Sequence, residues 1–395
     1  MLENEFENAI QIVKLLQQNG HKAYVVGGAV RDQILGREIG DIDITTSAIP
    51  TDVQSIFDKV IPVGIEHGTV IVRYHGESFE VTTFRIEGDY SDFRHPDKVH
   101  FVDRIEEDLS RRDFTINAIA MNVDGKIIDP FFGVKDINNR LIRTVGKAEQ
   151  RFYEDPLRIL RALRFSSQLG FSVEKNTKIS LLANIEWIKK LAIERVAVEI
   201  EKLFAGTNIK KAMPLLLDSR IDKFLPIFKD KSDLWKCFCT LSTPVPTLTE
   251  FITLGHLYDR SVPIETWVKQ WKLSKQIKKD SFKLVELFDD FEANHLNKWL
   301  VYRLPTYLIQ SFIHIVSVLL NEQIKEETIR EMQGTLPIQE RKELAMNGQD
   351  ILYLNPNKPK GPWINDCILQ LEKNVVTGDV ENNKKDIREW VKQWK

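Results

Sequence analysis

Tyr24-Val25-Val26-Gly27-Gly28-Ala29-Val30-Arg31-Asp32, followed eight residues later by Gly40-Asp41-Ile42-Asp43-Ile44, decides how the first part of this chain is read. Tyr24-Val25-Val26 predicts a short buried strand, and Val30 to Leu35 has helical spacing closed by Gly36. The adjacent glycines let backbone amides approach an anion, and the helix start that follows adds partial positive charge. Arg31 lies near that start, within reach of a phosphate. In Asp41-Ile42-Asp43-Ile44-Thr45 the aspartates alternate with isoleucines, so a strand here puts both carboxylates on one face and both isoleucines on the other. Hard oxygen ligands brought together in this way suit Mg²⁺, which keeps several waters and is completed by substrate phosphates. Two such ions about 4 Å apart clamp the attacking and leaving oxygens of an in-line phosphoryl displacement. Asp-x-Asp alone also fits an exposed strand edge or a turn. The glycine pair upstream gives it weight.

Other nucleotide motifs are absent. No Gly-x-Gly-x-x-Gly follows a strand, and no Gly-x-x-x-x-Gly-Lys-Ser/Thr occurs. At 395 residues, 43% apolar and 28% charged, the chain has the make-up of a globular protein with room for two or more domains. No apolar run approaches the roughly 18 residues of a membrane span, and the acidic start Met1-Leu2-Glu3-Asn4-Glu5 is unlike a basic leader, so no membrane association and a cytoplasmic location are expected. Cys237, Cys239 and Cys367 are too few for a disulfide framework, and Cys237-x-Cys239 has no second ligand pair nearby, so core packing is expected of it rather than zinc. A net charge of −2 requires any nucleic-acid surface to be a local basic patch.

The first third reads as mixed α and β. Asn4 to Gln18 predicts an amphipathic helix, Thr51 to Lys59 a second with Pro50 ahead of it, and Thr69 to Tyr74 with Ser78 to Phe84 a hairpin. Glu80 on that hairpin is either a third carboxylate of the metal site or a solvent-facing strand residue. Ile86 to Asp103 is polar and aperiodic, the mark of a functional or mobile loop. From about residue 146 strands nearly vanish and helices are predicted over Asp155 to Leu169, Trp187 to Phe204, Lys210 to Leu217 with Pro214 as a kink, and Ile264 to Phe291. Further helices are predicted over Trp299 to Leu320, Glu326 to Met332, Ile364 to Thr377 and Lys384 to Trp394.

Two downstream stretches carry chemistry. In Ser110-Arg111-Arg112-Asp113-Phe114-Thr115-Ile116-Asn117-Ala118, Arg112 can stabilise triphosphate charge. Asp113 and Asn117 share a face if helical and can reach a ribose hydroxyl; the alternative is a solvated helical face. In Glu154-Asp155-Pro156-Leu157-Arg158-Ile159-Leu160-Arg161-Ala162-Leu163-Arg164-Phe165 the arginines Arg158, Arg161 and Arg164 recur every three residues as one slanted stripe opposite leucines. Asp155 as N-cap and Pro156 at the first helical position explain the local fold, but not three arginines without interleaved acids.

In this order, Gly-Gly-Ala-Val-Arg-Asp, Gly-Asp-Ile-Asp, Arg-Arg-Asp-Phe-Thr-Ile-Asn-Ala and Glu-Asp-Pro-Leu-Arg-x-Leu-Arg-Ala-x-Arg-Phe resemble the class II tRNA nucleotidyltransferases, the bacterial CCA-adding enzymes, and their relatives the bacterial poly(A) polymerases. The motifs span residues 27 to 171. The resemblance implies an α+β chain with a polymerase-β-like nucleotidyltransferase head (1–145), then an all-α neck (146–205), body (206–275) and tail (276–395) that binds tRNA. It implies Mg²⁺-dependent addition of C, C and A to the 3′ end of tRNA from CTP and ATP with release of diphosphate, and is compatible with a homodimer. Family roles fall on Gly28, Arg31 and Arg112 for nucleotide phosphates, on Asp41 and Asp43 for the metal, and on Asp155, Arg158, Arg161 and Arg164 for the incoming base and phosphates.

Side chains can then stand in for a template. Cytosine and adenine each present an exocyclic amino donor beside a ring-nitrogen acceptor, which a carboxylate (Asp155) and a guanidinium (Arg158) complement; uracil and guanine present the reverse. The switch from C to A is expected from the primer end and the segment 86–103. Poly(A) polymerase and a CC-only enzyme are the nearest alternatives, and a non-catalytic tRNA-binding relative would be expected to have lost Asp41 or Asp43. None of the eight histidines precedes an aspartate, so no appended His-Asp phosphohydrolase is expected.

Overall fold

The computed structural model describes residues 6–88 and 99–394, which fall into two units, Met1–Thr247 and Leu248–Lys395. In the first, α1 (Glu7–Gln18) buries Ala9, Ile12, Val13 and Leu16, the stripe expected of a helix with one face on a core. Strand β1 (Ala23–Val26) runs into α2 (Gly28–Ile34), and β2 (Asp43–Thr46), α3 (Pro50–Ile56), β3 (Val60–Gly64), β4 (Thr69–Tyr74) and β5 (Glu77–Thr83) follow. A ribbon of β6 (Arg85–Glu87) and β7 (Val99–Phe101) precedes α4 (Ile105–Ser110), β8 (Ala120–Met121), β9 (Ile127–Ile128), α5 (Gly133–Asn138) and β10 (Leu141–Ile142).

Seven strands form one sheet in the order β3-β4-β5-β2-β1-β8-β9. Its register positions the site. Asp43, the first residue of β2, lies opposite Val26 of antiparallel β1 and opposite Glu80 of parallel β5, so the sheet sets two carboxylates side by side and next to the glycine pair.

The structure changes three expectations in the head. Strand β2 begins at Asp43, so Asp41 lies ahead of the strand and does not share its alternation. The segment 86–103 is not wholly irregular: Arg85–Glu87 pairs antiparallel with Val99–Phe101, strands too short to leave a period, while 89–98 lie outside the described residues. Asp113 and Asn117 are not on an α-helix; Thr115–Asn117 is a single 3₁₀ turn.

The first unit continues as α6 (Ala148–Glu154), α7 (Leu157–Leu169), β11 (Ser172–Val173), α8 (Lys175–Ala183), α9 (Ile193–Phe204), α10 (Ile209–Ser219) and α11 (Ser232–Cys239). Helix α6 was not expected; it stops where Pro156 restricts the residue before it. The helix expected over Trp187 to Phe204 is a 3₁₀ stretch, Ile185–Lys190, and then α9, while α10 carries Pro214 in its interior. The short β11 pairs in parallel with β10. Cys239 is half-buried, its thiol pushed up to about 12 by burial and by Asp222, as suits a packing residue.

The second unit is helical throughout its described residues: α12 (Leu248–Tyr258), α13 (Ile264–Gln270), α14 (Lys275–Asn294), α15 (Lys298–Arg303), α16 (Ile309–Leu320), α17 (Glu326–Gly334), α18 (Gly348–Leu354), α19 (Trp363–Thr377) and α20 (Lys384–Gln393). Trp299 to Leu320 is not one helix: it breaks at Pro305, which lacks the N–H a helix interior needs. Leu371, Val375, Ile387 and Val391 close an apolar core with Ile338 and Ile351. Among the described residues no helix is long and apolar enough to cross a membrane.

Eight described non-glycine residues have a positive φ, Phe132 among them. Phe132 caps α5 at φ +61°, a left-handed conformation costly for a bulky residue, and its ring is 71% exposed and so contributes little packing in return. The turn is fixed instead by Asp129, whose carboxylate accepts from the N–H groups of Gly133 (2.7 Å) and Val134 (2.9 Å). Phe132→Gly is therefore expected to stabilise the fold by about 0.5–1 kcal/mol after the added freedom of the unfolded chain is counted, read as a raised melting temperature. A lowered one would show that the ring is held by contacts worth more than the strain.

Candidate active site

Strand β1 delivers the chain into Gly27 at φ +81°, open to glycine and strained for any L side chain. A Cβ there would stand 3.1 Å from Arg112 Nη1, so the glycine also admits that guanidinium. One turn into α2, Arg31 is 8% exposed; its Nη1 donates to Asn117 Oδ1 at 2.6 Å, and its Nε and Nη2 donate to Asp32 at 3.0 and 2.7 Å. Asn117 Nδ2 donates in turn to Asp113 Oδ1 at 3.1 Å, and Asp113 Oδ2 accepts from Arg161 Nε at 2.6 Å. A continuous chain of charge-assisted hydrogen bonds thus ties α2 to the 3₁₀ turn and to α7.

Helix α7 supplies the opposite wall. Arg158 Nη1 donates to Glu154 Oε2 (2.7 Å) and to the carbonyl of Arg151 (3.2 Å), while its Nη2 donates to the carbonyl of Arg111 (2.9 Å). Arg164 pairs with Glu199 of α9 at 3.2 Å. Pro156, expected at the first helical position, is itself the N-cap of α7, so Asp155 stands one residue ahead of the cap; its Oδ1 accepts from the N–H of Leu157 at 3.0 Å, and its Oδ2 from Arg195 of α9 at 2.9 Å. Arg31, Arg161 and Arg164 all stand over the ring of Phe165, at 5.2, 5.3 and 4.5 Å, an apolar floor with a negative face.

Arg31, Asp113, Asn117, Asp155, Arg158, Arg161, Arg164, Phe165 and Arg195 line one open cavity of about 600 Å³, with Gly27, Gly28, Asp43, Arg111, Arg112 and Lys202. Eight cationic and three anionic side chains meet there, so a chain of net charge −2 concentrates positive charge at this one cavity. Burial pushes Arg164 down to about 10, the charge of Arg161 adding to it and Glu199 opposing. Burial also works against the Asp113 carboxylate, but Arg161 and the hydrogen bond from Asn117 outweigh it and hold the group at about 2.

A folded-state value below the ordinary 3.8 means that Asp113 contributes stability above pH 4 and loses it as the pH falls toward 2. The melting-temperature gap between the wild type and Asp113→Asn is expected to correspond to about 2 kcal/mol above pH 4 and to close toward pH 2. A gap that does not change with pH would remove the ion pair as its cause.

The carboxylates of the sheet differ from one another. Asp43 is half-buried at the cavity wall, pushed up to about 6 by burial first and then by Glu80, with Asp41 adding and Arg112 opposing. Asp41 is exposed and lines a neighbouring cavity of about 390 Å³ with Glu38, Gly40 and Glu77. Glu80 is exposed on β5. Among the described residues no three His, Cys, Asp or Glu side chains form a closed ligand set.

Family models match three segments: residues 23–143 as a poly A polymerase head domain, 170–231 as a probable RNA- and SrmB-binding site of polymerase A, and 251–391 as a putative tRNA nucleotidyltransferase domain 2. The CCA-adding enzyme of Oceanobacillus iheyensis is 45% identical over 392 residues, covering 99% of this chain and 98% of its own. That of Bacillus subtilis strain 168 is 39% identical, covering 99% of each. The chain belongs to the CCA-adding enzyme family. The crystal structure of the Bacillus stearothermophilus CCA-adding enzyme in complex with CTP superimposes with a TM-score of 0.86 at 36% identity, covering 98% of this chain and 97% of that one.

In this CCA-adding enzyme fold, Gly28, Arg31, Asp43, Arg112, Asp113, Asn117, Asp155, Arg158, Arg161 and Arg164 gather at one cavity, whereas Asp41 and Glu80 are not among the residues that line it. The arginine stripe is not a free row: Glu154 at the end of α6, Asp113 ahead of the 3₁₀ turn and Glu199 of α9 pair with Arg158, Arg161 and Arg164. Sequence reasoning missed Asp108, Glu154, Phe165, Arg195, Glu199 and Lys202. Arg195, Glu199 and Lys202 recur at i, i+4 and i+7, so one face of α9 could have been read as polar and inward.

Proposed function

We propose that the chain adds C, C and A to the 3′ end of tRNA without a template, drawing on CTP and ATP and releasing diphosphate at each step. The observation that carries this reading is the convergence in one cavity of the glycine turn, the Arg31 and Arg112 guanidiniums, Asp43 and the Asp155–Arg158 edge. Gly28, Arg31 and Arg112 bind the triphosphate, Asp113 and Asn117 the ribose, and Arg161 and Arg164 hold positive charge near the phosphates.

Asp41 and Asp43 are the candidate holders of Mg²⁺, with Glu80 beside them. The residue types suit the ion: Asp41 and Asp43 offer hard oxygens and leave coordination to water and phosphate, and burial, then Glu80 and Asp41, disfavour a charged Asp43 that a cation would favour. When bound, the metal supplies a lowered proton affinity at the attacking 3′ hydroxyl and neutralises the leaving diphosphate. The hydroxyl oxygen bonds to the α-phosphorus, the α–β bridging bond breaks, and the hydroxyl proton passes to solvent.

Base selection rests on hydrogen-bond capacity left over. Arg158 commits three of its five N–H groups to Glu154 and two carbonyls, and Asp155 uses two of about four acceptor sites on Leu157 and Arg195. The rest can meet the amino donor and ring-nitrogen acceptor of cytosine or adenine. Relatives named CCA-adding enzymes across the full length favour this reading over poly(A) or CC-only addition. The four-part division at 145, 205 and 275 goes with it, the helical residues 276–395 holding tRNA in the cytoplasm.

The test is to incubate the protein with a tRNA lacking its 3′ end and with each nucleotide, alone and together, and to sequence the products. CTP alone should give CC, and CTP with ATP should give CCA. A long A tract, or a stop at CC with ATP present, would overturn it.

A further inference from the structure

We propose that Asp108 is a positioning residue for nucleotide binding: a fully buried carboxylate that aims the Arg112 guanidinium at the triphosphate. It rests on the reading of the cavity as a nucleotide site. Asp108 is 0% exposed, within α4, and is not among the residues that line the 600 Å³ cavity. Yet Arg111 donates to its Oδ1 through Nη2 (2.8 Å) and Nε (3.1 Å), and Arg112 donates to its Oδ2 through Nη2 (3.3 Å). Two further contacts join it to the surrounding sheet, from Thr45 Oγ1 of β2 at 3.5 Å and from the N–H of Arg85, the first residue of the ribbon, at 3.4 Å.

Burying an ionised carboxylate is costly unless several donors surround it, and here two of them, Arg111 and Arg112, line the cavity. Arg112 needs such a partner. Its Nε is buried without a hydrogen-bond acceptor, and Asp108 is the one carboxylate paired with it among the described residues. Its Nη1 lies over Gly27, close enough that a Cβ there would crowd it. Asp108 therefore fixes the plane of the guanidinium, while neutralising one of two adjacent positive charges that would otherwise repel each other. Thr45 stands two residues along β2 from Asp43, so the same carboxylate keeps Arg112 in register with the strand that carries Asp43.

The test compares Asp108→Asn, Arg112→Ala and the double variant, each shown by thermal melting to be folded, in titrations of CTP and of CMP. A residue acting through Arg112 should weaken CTP by roughly tenfold when changed to Asn, leave CMP unchanged, and add nothing further when Arg112 is already Ala. Equal weakening of CTP and CMP would mean general damage to the fold and overturn the proposal, as would additive losses or unchanged CTP affinity. If Asp108→Asn does not fold, Asp108→Asn with Arg111→Gln removes one charge of each sign, and the comparison is made against Arg111→Gln alone, with and without Arg112→Ala. Wild-type protein that binds neither nucleotide would overturn the nucleotide site itself.

Discussion

Replacing Asp43 by alanine is expected to lower nucleotide addition by about 1,000-fold, some 4 kcal/mol of transition-state stabilisation, while the protein still folds. The residue opens β2 at the cavity wall, and the packing of that strand is carried by Ile44, Thr45 and Thr46, all buried. Burial, Glu80 and Asp41 all disfavour the charged carboxylate and outweigh the attraction of Arg112, so its removal should not lower the melting temperature. Asp41→Ala should lose activity too, and Glu80→Gln compared with both will show whether the third carboxylate shares the load. Normal turnover in Mg²⁺ by either aspartate variant would remove the two-metal assignment.

The second large effect concerns base choice. Asp155→Ala and Arg158→Ala are each expected to cut discrimination against UTP and GTP by one to two orders of magnitude, about 1–3 kcal/mol for a bidentate contact. A donor/acceptor-swapped double variant should shift preference toward the opposite bases. Because Asp155 also accepts from the first N–H of α7 and pairs with Arg195, its variant should melt lower as well; Arg158→Ala should too, since it takes one of two arginine partners from Glu154. The deciding measurement is therefore incorporation of all four nucleotides beside thermal melting. Lowered stability with unchanged selectivity would leave Asp155 as a support for the start of α7 and place base reading elsewhere.

Much of the head was legible because its signals are local. A buried strand, a glycine pair, a helix closed by Gly36 and an Asp-x-Asp are each written within a few residues, and the structure has β1, α2 and β2 in that order. Boundaries were less legible. Asp41 was read into the strand because alternation does not say where pairing with β1 and β5 begins, and that start is set by partners far along the chain. The ribbon at 85–87 and 99–101 was missed for a related reason: three residues carry no period, and pairing across a long connection leaves no local mark.

The chain by itself determined the chemistry on offer, since residue type and short-range spacing fix which groups are acids, which are guanidiniums and which backbone positions accept an anion. Tertiary structure alone decided which groups are spent on one another. Arg161 stands 48 residues from Asp113, Arg164 stands 35 from Glu199 and Asp155 stands 40 from Arg195, and no periodicity connects such pairs. Burial forces this pairing, because a guanidinium or carboxylate removed from water must find its partner wherever the fold brings one. The arginine stripe that looked free along α7 is, in three dimensions, a set of ion pairs whose remaining hydrogen-bond capacity faces the cavity.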